Sequence, residues 1–173
     1  MLATLKDLFR RKPRYKPGPP PPRRFVITES CITALGICMA PEIKKGHEGV
    51  AYLLGQSDGT TTIAIAAIRP AAMTTKGSFN VPPAAMARVV RAAVDRGLQV
   101  IGQVHTHPGQ AYHSDGDDDG AKIAFTGFIS IVLPHYGRHL PSFTGAAAYV
   151  FKVGERFMVL DPATIVIVSG RIE

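Results

Sequence analysis

No run of about 18 or more apolar residues occurs in the chain, so no transmembrane helix is expected. The N-terminus has no apolar stretch followed by a small-residue cleavage site, which argues against secretion and for the cytoplasm. There is no internal repeat. Cysteine is scarce, with Cys31 and Cys38 the only two in 173 residues. On a helix their i, i+7 spacing puts them on one face about 10 Å apart along the axis, too far for a disulfide. Two reduced core thiols are expected, and two cysteines alone make an incomplete metal site. The globular part also lacks net charge. The formal +7 resides in residues 1–24, where Lys6, Arg10, Arg11, Lys12, Arg14, Lys16, Arg23 and Arg24 face Asp7 alone. Residues 25–173 balance, so nucleic acid is not an expected partner of that part.

Residues 1–24 form a basic, Pro-rich tail. Leu2, Leu5, Leu8 and Phe9 fit one side of a short helix, and the run Pro17-Gly18-Pro19-Pro20-Pro21-Pro22 that follows favours extended polyproline II. The tail reads either as a small docking element on a stiff tether or as a disordered solubilising segment.

From Phe25 the pattern is that of a folded domain, 25–173. Phe25-Val26-Ile27 reads as a strand, and Thr28 or Ser30 caps a helix to about Met39. Residues 48–56 and 61–69 read as a hairpin joined by Ser57-Asp58-Gly59-Thr60. Pro82 and Pro83 open a helix to Arg96, with Met86, Val89, Val90 and Ala93 on its buried side and Gly97 ending it. Gln99 to His105 is a strand, and Asp115 to Ala124 a helix with an acidic start. Further strands are expected at Phe128–Leu133, Ala146–Lys152, Arg156–Leu160 and Ile165–Ser169. The mixture implies an α+β or three-layer α/β/α domain on one mixed sheet.

The chemistry concentrates in Val104-His105-Thr106-His107-Pro108 and Ser114-Asp115-Gly116-Asp117. Residues i and i+2 of a strand project from one face, so both imidazoles can reach one point, and Pro108 then turns the chain outward. Asp117, in the first turn of the expected helix, can fold back to that point. Two His and one Asp suit a borderline cation such as Zn²⁺ and leave a position open for water. Glu48, heading an apolar strand, is the candidate to take and deliver the proton. Ser114 can donate to a carbonyl oxygen as it becomes an oxyanion, or cap the helix. Asp118 stays open as an alternative ligand. His113 reads as a spare ligand, a substrate contact or a solvated loop residue, and His135 and His139 receive no role. The four aspartates at 115 and 117–119 lack the spacing of an EF-hand loop.

The combination resembles the JAMM (JAB or MPN+) metalloproteases. Their pattern is a Glu in an early strand, then His-x-His-Pro, about six residues, and Ser-x-x-Asp. It is met by Glu48, His105, His107, Ser114 and Asp117, and the Leu53-Leu54-Gly55 context is similar as well. Ala51 stands where the family often has Gly. The resemblance covers roughly residues 25–170 and implies a cytidine-deaminase-like fold. Glu48 would be general acid/base, His105, His107 and Asp117 would hold one zinc, and Ser114 would steady the tetrahedral intermediate. The implied substrate is a peptide or isopeptide bond after the C-terminus of a ubiquitin-like protein, held in a groove near the polar, flexible residues 69–82. A bacterial conjugation or antiphage system with E1-like and E2-like partners is the implied setting. Alternatives are a peptidase of sulfur-carrier proteins, a metal-free MPN-type interaction module, and a nucleic-acid-associated member using its tail.

Overall fold

The computed structural model describes residues 24–114, 116–117, 123 and 125–169. The tail up to Arg23 and Asp118 therefore lie outside the described residues. So does most of the helix expected at 115–124, of which Gly116 and Asp117 have helical backbone.

Ten strands and two long helices are described. In chain order they are β1 (Arg24–Thr28), α1 (Glu29–Lys45), β2 (Val50–Ser57), β3 (Thr61–Ile68), β4 (Met73–Thr74), β5 (Phe79–Asn80), α2 (Pro83–Val94), β6 (Gln99–Thr106), β7 (Ile129–Leu133), β8 (Ala147–Lys152), β9 (Arg156–Val159) and β10 (Ile165–Val168). Eight strands form one mixed sheet in the order β10-β1-β3-β2-β6-β7-β8-β9, while β4 and β5 pair separately. One core lies between the sheet and α1, built around Phe25, Leu35, Met39, Leu53, Ile101 and Ile131. The other lies beneath α2, around Tyr52, Leu54, Val81, Met86, Val89 and Phe128. This is the expected α+β, three-layer arrangement. Among the described residues no helix is long and apolar enough to cross a membrane.

Thr28 caps α1, its Oγ1 accepting the Cys31 N–H at 3.2 Å. The helix runs past the expected end at Met39, through Pro41, to a left-handed Gly46. An internal proline removes one helical hydrogen bond. Met39, wholly buried before it, and Glu42, buried after it and ion-paired to Arg69 at 2.7 Å, anchor the helix on either side of the proline. Cys31 and Cys38 are both free thiols on this helix. α2 keeps Met86, Val89 and Ala93 buried, but Val90 is 41% exposed. It sits at the edge of the apolar stripe, beyond the reach of the sheet.

The expected hairpin is present, β2 pairing antiparallel with β3. A Cβ on Gly55 would fall 1.8 Å from the Ile63 carbonyl oxygen, so only glycine permits that approach. Two expectations change nearby. Glu48 lies two residues ahead of β2 rather than within it. The 69–82 segment is not a plain flexible stretch, because β4 and β5 make a short ribbon with Thr74 opposite Phe79. The Thr75 N–H closes the ribbon onto the Ser78 carbonyl at 2.8 Å.

Candidate metal centre

β6 carries the two histidines into the molecule. His105 lies on the ladder opposite Val50 of β2 and opposite Val132 of β7. It is wholly buried and His107 nearly so. Just past the strand, the His107 N–H donates to the Leu133 carbonyl at 2.9 Å, which holds the strand end on β7 as Pro108 turns away.

Glu48 reaches the histidines through β2. With Val50 opposite His105, the same antiparallel register carried two residues on sets Glu48 across from His107. Three hydrogen bonds fix this stretch. The Gly49 N–H donates to Thr106 Oγ1 at 2.8 Å, the Thr106 N–H to the Gly49 carbonyl at 3.1 Å, and the Glu48 N–H to the Thr75 carbonyl at 2.8 Å. These bonds to a side chain and to the ribbon replace regular ladder pairing, which is why β2 starts only at Val50.

Asp117 closes the cluster. Its Oδ1 lies 3.2 Å from His105 Nε2 and its Oδ2 3.4 Å from His107 Nε2. One ligand atom from each of the three residues lies within 4.8 Å of the others. Ser114 aims this carboxylate: its N–H and Oγ–H donate to Asp117 Oδ2 at 2.8 and 2.7 Å, and the Asp117 N–H returns to Ser114 Oγ at 3.2 Å. This is the reciprocal pattern of a capping box. Ser114 is thus a helix cap whose hydroxyl proton is engaged by a candidate ligand.

The electrostatics suit a cation. Burial pushes Glu48 up to about 7, with the neighbouring His107 opposing and Asp117 adding to the shift. Burial acts to raise Asp117 too, but the two imidazoles and the Ser114 N–H overcome it and hold the carboxyl well below the usual range. The hydrogen bond to Asp117 raises His107 against its burial. His105 supplies the fit test. Both its ring nitrogens are buried without a hydrogen-bond partner, since Nε2 is close to Asp117 but off the hydrogen-bonding line. An unsatisfied buried polar group costs about 1–3 kcal/mol. Donors bound tetrahedrally at about 2.0–2.1 Å sit roughly 3.3 Å from each other, and each imidazole here lies at about that distance from one oxygen of Asp117, His105 from Oδ1 and His107 from Oδ2. The residues present fit a small, tetrahedrally bound cation.

Beside the cluster lies a cavity of about 350 Å³, lined by Glu48, His107, Tyr112, Ser114 and Asp117 and walled by 77–81 of the ribbon. Its lining includes Tyr52 and Gln103, both buried. Tyr112 stacks edge-on to His107 at 4.8 Å between centroids. Tyr52, Gln103 and Tyr112 are additions to the residues expected from the sequence, where strand alternation from Glu48 through Val50 is the signal that points to Tyr52. His113 is neither a solvated loop residue nor part of the ligand trio. Its ring packs on Phe157 at 4.3 Å and on Tyr149 at 5.1 Å, with Nε2 3.2 Å from Ser130 Oγ. His135 and His139 lie outside the cluster, their rings 5.7 Å apart.

The chain is similar to several known proteins. The solution structure of DSY2949 from Desulfitobacterium hafniense matches with a TM-score of 0.61 at 14% identity, over 84% of this chain and 93% of that one. AF2198 of Archaeoglobus fulgidus, a JAB1/MPN domain protein, matches at 0.49 and 16% identity over 84% and 98%, a score too low to bear on the fold. The probable metalloprotease y4jG of Sinorhizobium fredii is 29% identical over 131 residues, 73% of this chain and 81% of that protein. The family model described as prokaryotic homologs of the JAB domain matches residues 42–148, more than half of the chain and a span that holds every residue of the cluster. The chain belongs to this family of prokaryotic JAB-domain proteins.

Proposed function

We propose that the protein is a zinc-dependent peptidase or isopeptidase that cleaves after the C-terminus of a ubiquitin-like protein. The observation that carries this reading is the convergence of His105, His107 and Asp117 beside the buried carboxyl of Glu48. Similarity to a protein named as a probable metalloprotease supports it. His105, His107 and Asp117 would hold the metal. When bound, zinc would polarise the scissile carbonyl and acidify a water. Glu48 takes the proton from the attacking water and delivers it to the leaving nitrogen as the C–N bond breaks. In the metal-free site burial already lifts this carboxyl to about 7, so its proton is more readily held and passed on than that of an exposed glutamate. Ser114 lines the cavity, so its hydroxyl can turn from Asp117 toward the substrate carbonyl oxygen.

An extended tail ending in small residues suits the groove between the ribbon and Tyr112, where pairing along the β5 edge supplies main-chain hydrogen bonds. A bacterial conjugation system with E1-like and E2-like partners, and the cytoplasm, are the setting we propose. The test is cleavage of a ubiquitin-like protein fused through its C-terminus to a reporter. Activity is expected to vanish with a strong chelator and return with zinc. Glu48→Gln is expected to stay folded and metal-loaded with a loss of about 10²-fold or more. Full activity of that variant would overturn the mechanism, and cleavage of a sulfur-carrier protein alone would move the substrate to that class.

A further inference from the structure

The loop after β7 is tied to the site at two points. His135, Tyr136 and Gly137 follow one another with φ of 52°, 59° and 76°. Two consecutive non-glycine residues in the left-handed region are strained and persist only where their surroundings over-determine them. The surroundings do so here. The His135 N–H donates to the Gly109 carbonyl at 3.0 Å, the Tyr136 N–H to the His107 carbonyl at 2.8 Å, and the Gly137 N–H to the Pro134 carbonyl at 2.9 Å. The loop thereby grips the backbone of a candidate metal ligand.

The side chain of Tyr136 points the other way. Its hydroxyl donates to the Lys76 carbonyl at 2.9 Å, at the tip of the β4–β5 ribbon. The carbonyl one residue earlier, of Thr75, accepts from the Glu48 N–H. Two successive carbonyls of the ribbon tip are therefore clamped, one by the backbone of the proposed acid/base and one by a phenol rooted on His107. Residues 77–81, immediately beyond, form a wall of the cavity.

We propose that Tyr136 is a positioning residue that fixes the ribbon at a set distance from the metal strand and so holds the substrate groove in its binding shape. This rests on reading the adjacent cavity as the substrate site. The strain in the loop orients the phenol toward Lys76, and the hydroxyl completes the clamp.

Tyr136→Phe removes only the hydroxyl. Its expected effect on reporter cleavage is a roughly three- to tenfold rise in KM, the worth of one ordinary hydrogen bond, with kcat unchanged and the melting temperature lowered by no more than about 4 °C. A second readout needs neither substrate nor metal. Trypsin cleaves after lysine, so the rate of nicking between Lys76 and Gly77, followed by mass spectrometry, reports opening of the ribbon tip. Faster nicking is expected in Tyr136→Phe. Tyr136→Gly relieves the strain while losing the clamp, so it is expected to melt no lower than the wild type and still nick faster. Unchanged nicking in both variants would overturn the proposal, as would equal effects on kcat and KM in Tyr136→Phe. Should the wild type cleave no substrate, the functional reading fails while nicking still decides the clamp.

Discussion

Glu48 is 6% exposed, and burial lifts its pKa from 4.5 to about 7. The sign of its effect on stability follows. The fold favours the protonated acid, so the penalty is absent below pH 4.5, grows as pH rises, and is complete above about 7. Two and a half units correspond to roughly 3 kcal/mol at most. In chelator-treated protein, Glu48→Gln is expected to be more stable than the wild type at pH 8 and equal to it at pH 4, read from urea unfolding. The same difference at both pH values would contradict the buried placement. A residue that lowers stability where it acts belongs to a site rather than to a core. Asp117 behaves oppositely, being held in its ionised form by its neighbours. His107, His105 and Asp117 could be named as candidate ligands from spacing and strand alternation. The Ser114–Asp117 capping box was half legible, since Ser-x-x-Asp reads equally as a cap or a catalytic pair. The packed role of His113 was not legible, because Phe157, Tyr149 and Ser130 come from three distant strand positions.

Elements are positioned by caps and by close approaches. Thr28→Ala should lower stability by about 1 kcal/mol through loss of the α1 cap and leave kinetic constants unchanged. Gly55→Ala should cost far more, because its Cβ meets backbone that cannot move without breaking the β2–β3 pairing. Chemical denaturation of both variants checks the order, and a milder effect at Gly55 would refute the packing argument. The strand run, the hairpin and the Thr28 cap were readable because alternation and turn residues are local signals. The passage of α1 through Pro41 was not, since it depends on what Met39 and Glu42 bury against. The β4–β5 ribbon is not legible in the sequence for a related reason. Its strands are two residues each, too short for any periodicity, and its tip is held by Glu48 and Tyr136 from remote parts of the chain.

At the scale of the molecule, charge and chemistry occupy different regions. The formal +7 lies in the tail, while the cavity lies in the neutral part. If the tail contacts phosphates, removing residues 1–23 should abolish salt-sensitive DNA binding without altering hydrolysis of the fusion substrate. A truncated protein that still binds DNA with the same salt dependence would place that affinity in the globular part instead.

The candidate ligand side chains, their spacing, the strand that carries two of them and the helix cap beside the third are all readable along the chain. Those rest on local periodicity, which a linear chain displays. The three-dimensional pairing alone puts β2 beside β6 with Val50 opposite His105, and hence brings Glu48 across from His107, 59 residues away. The tertiary structure also decided that the ribbon walls the cavity. Strand pairing across such separations is set by burial of two apolar sheet faces against α1 and α2. No local pattern records which strand will be the neighbour.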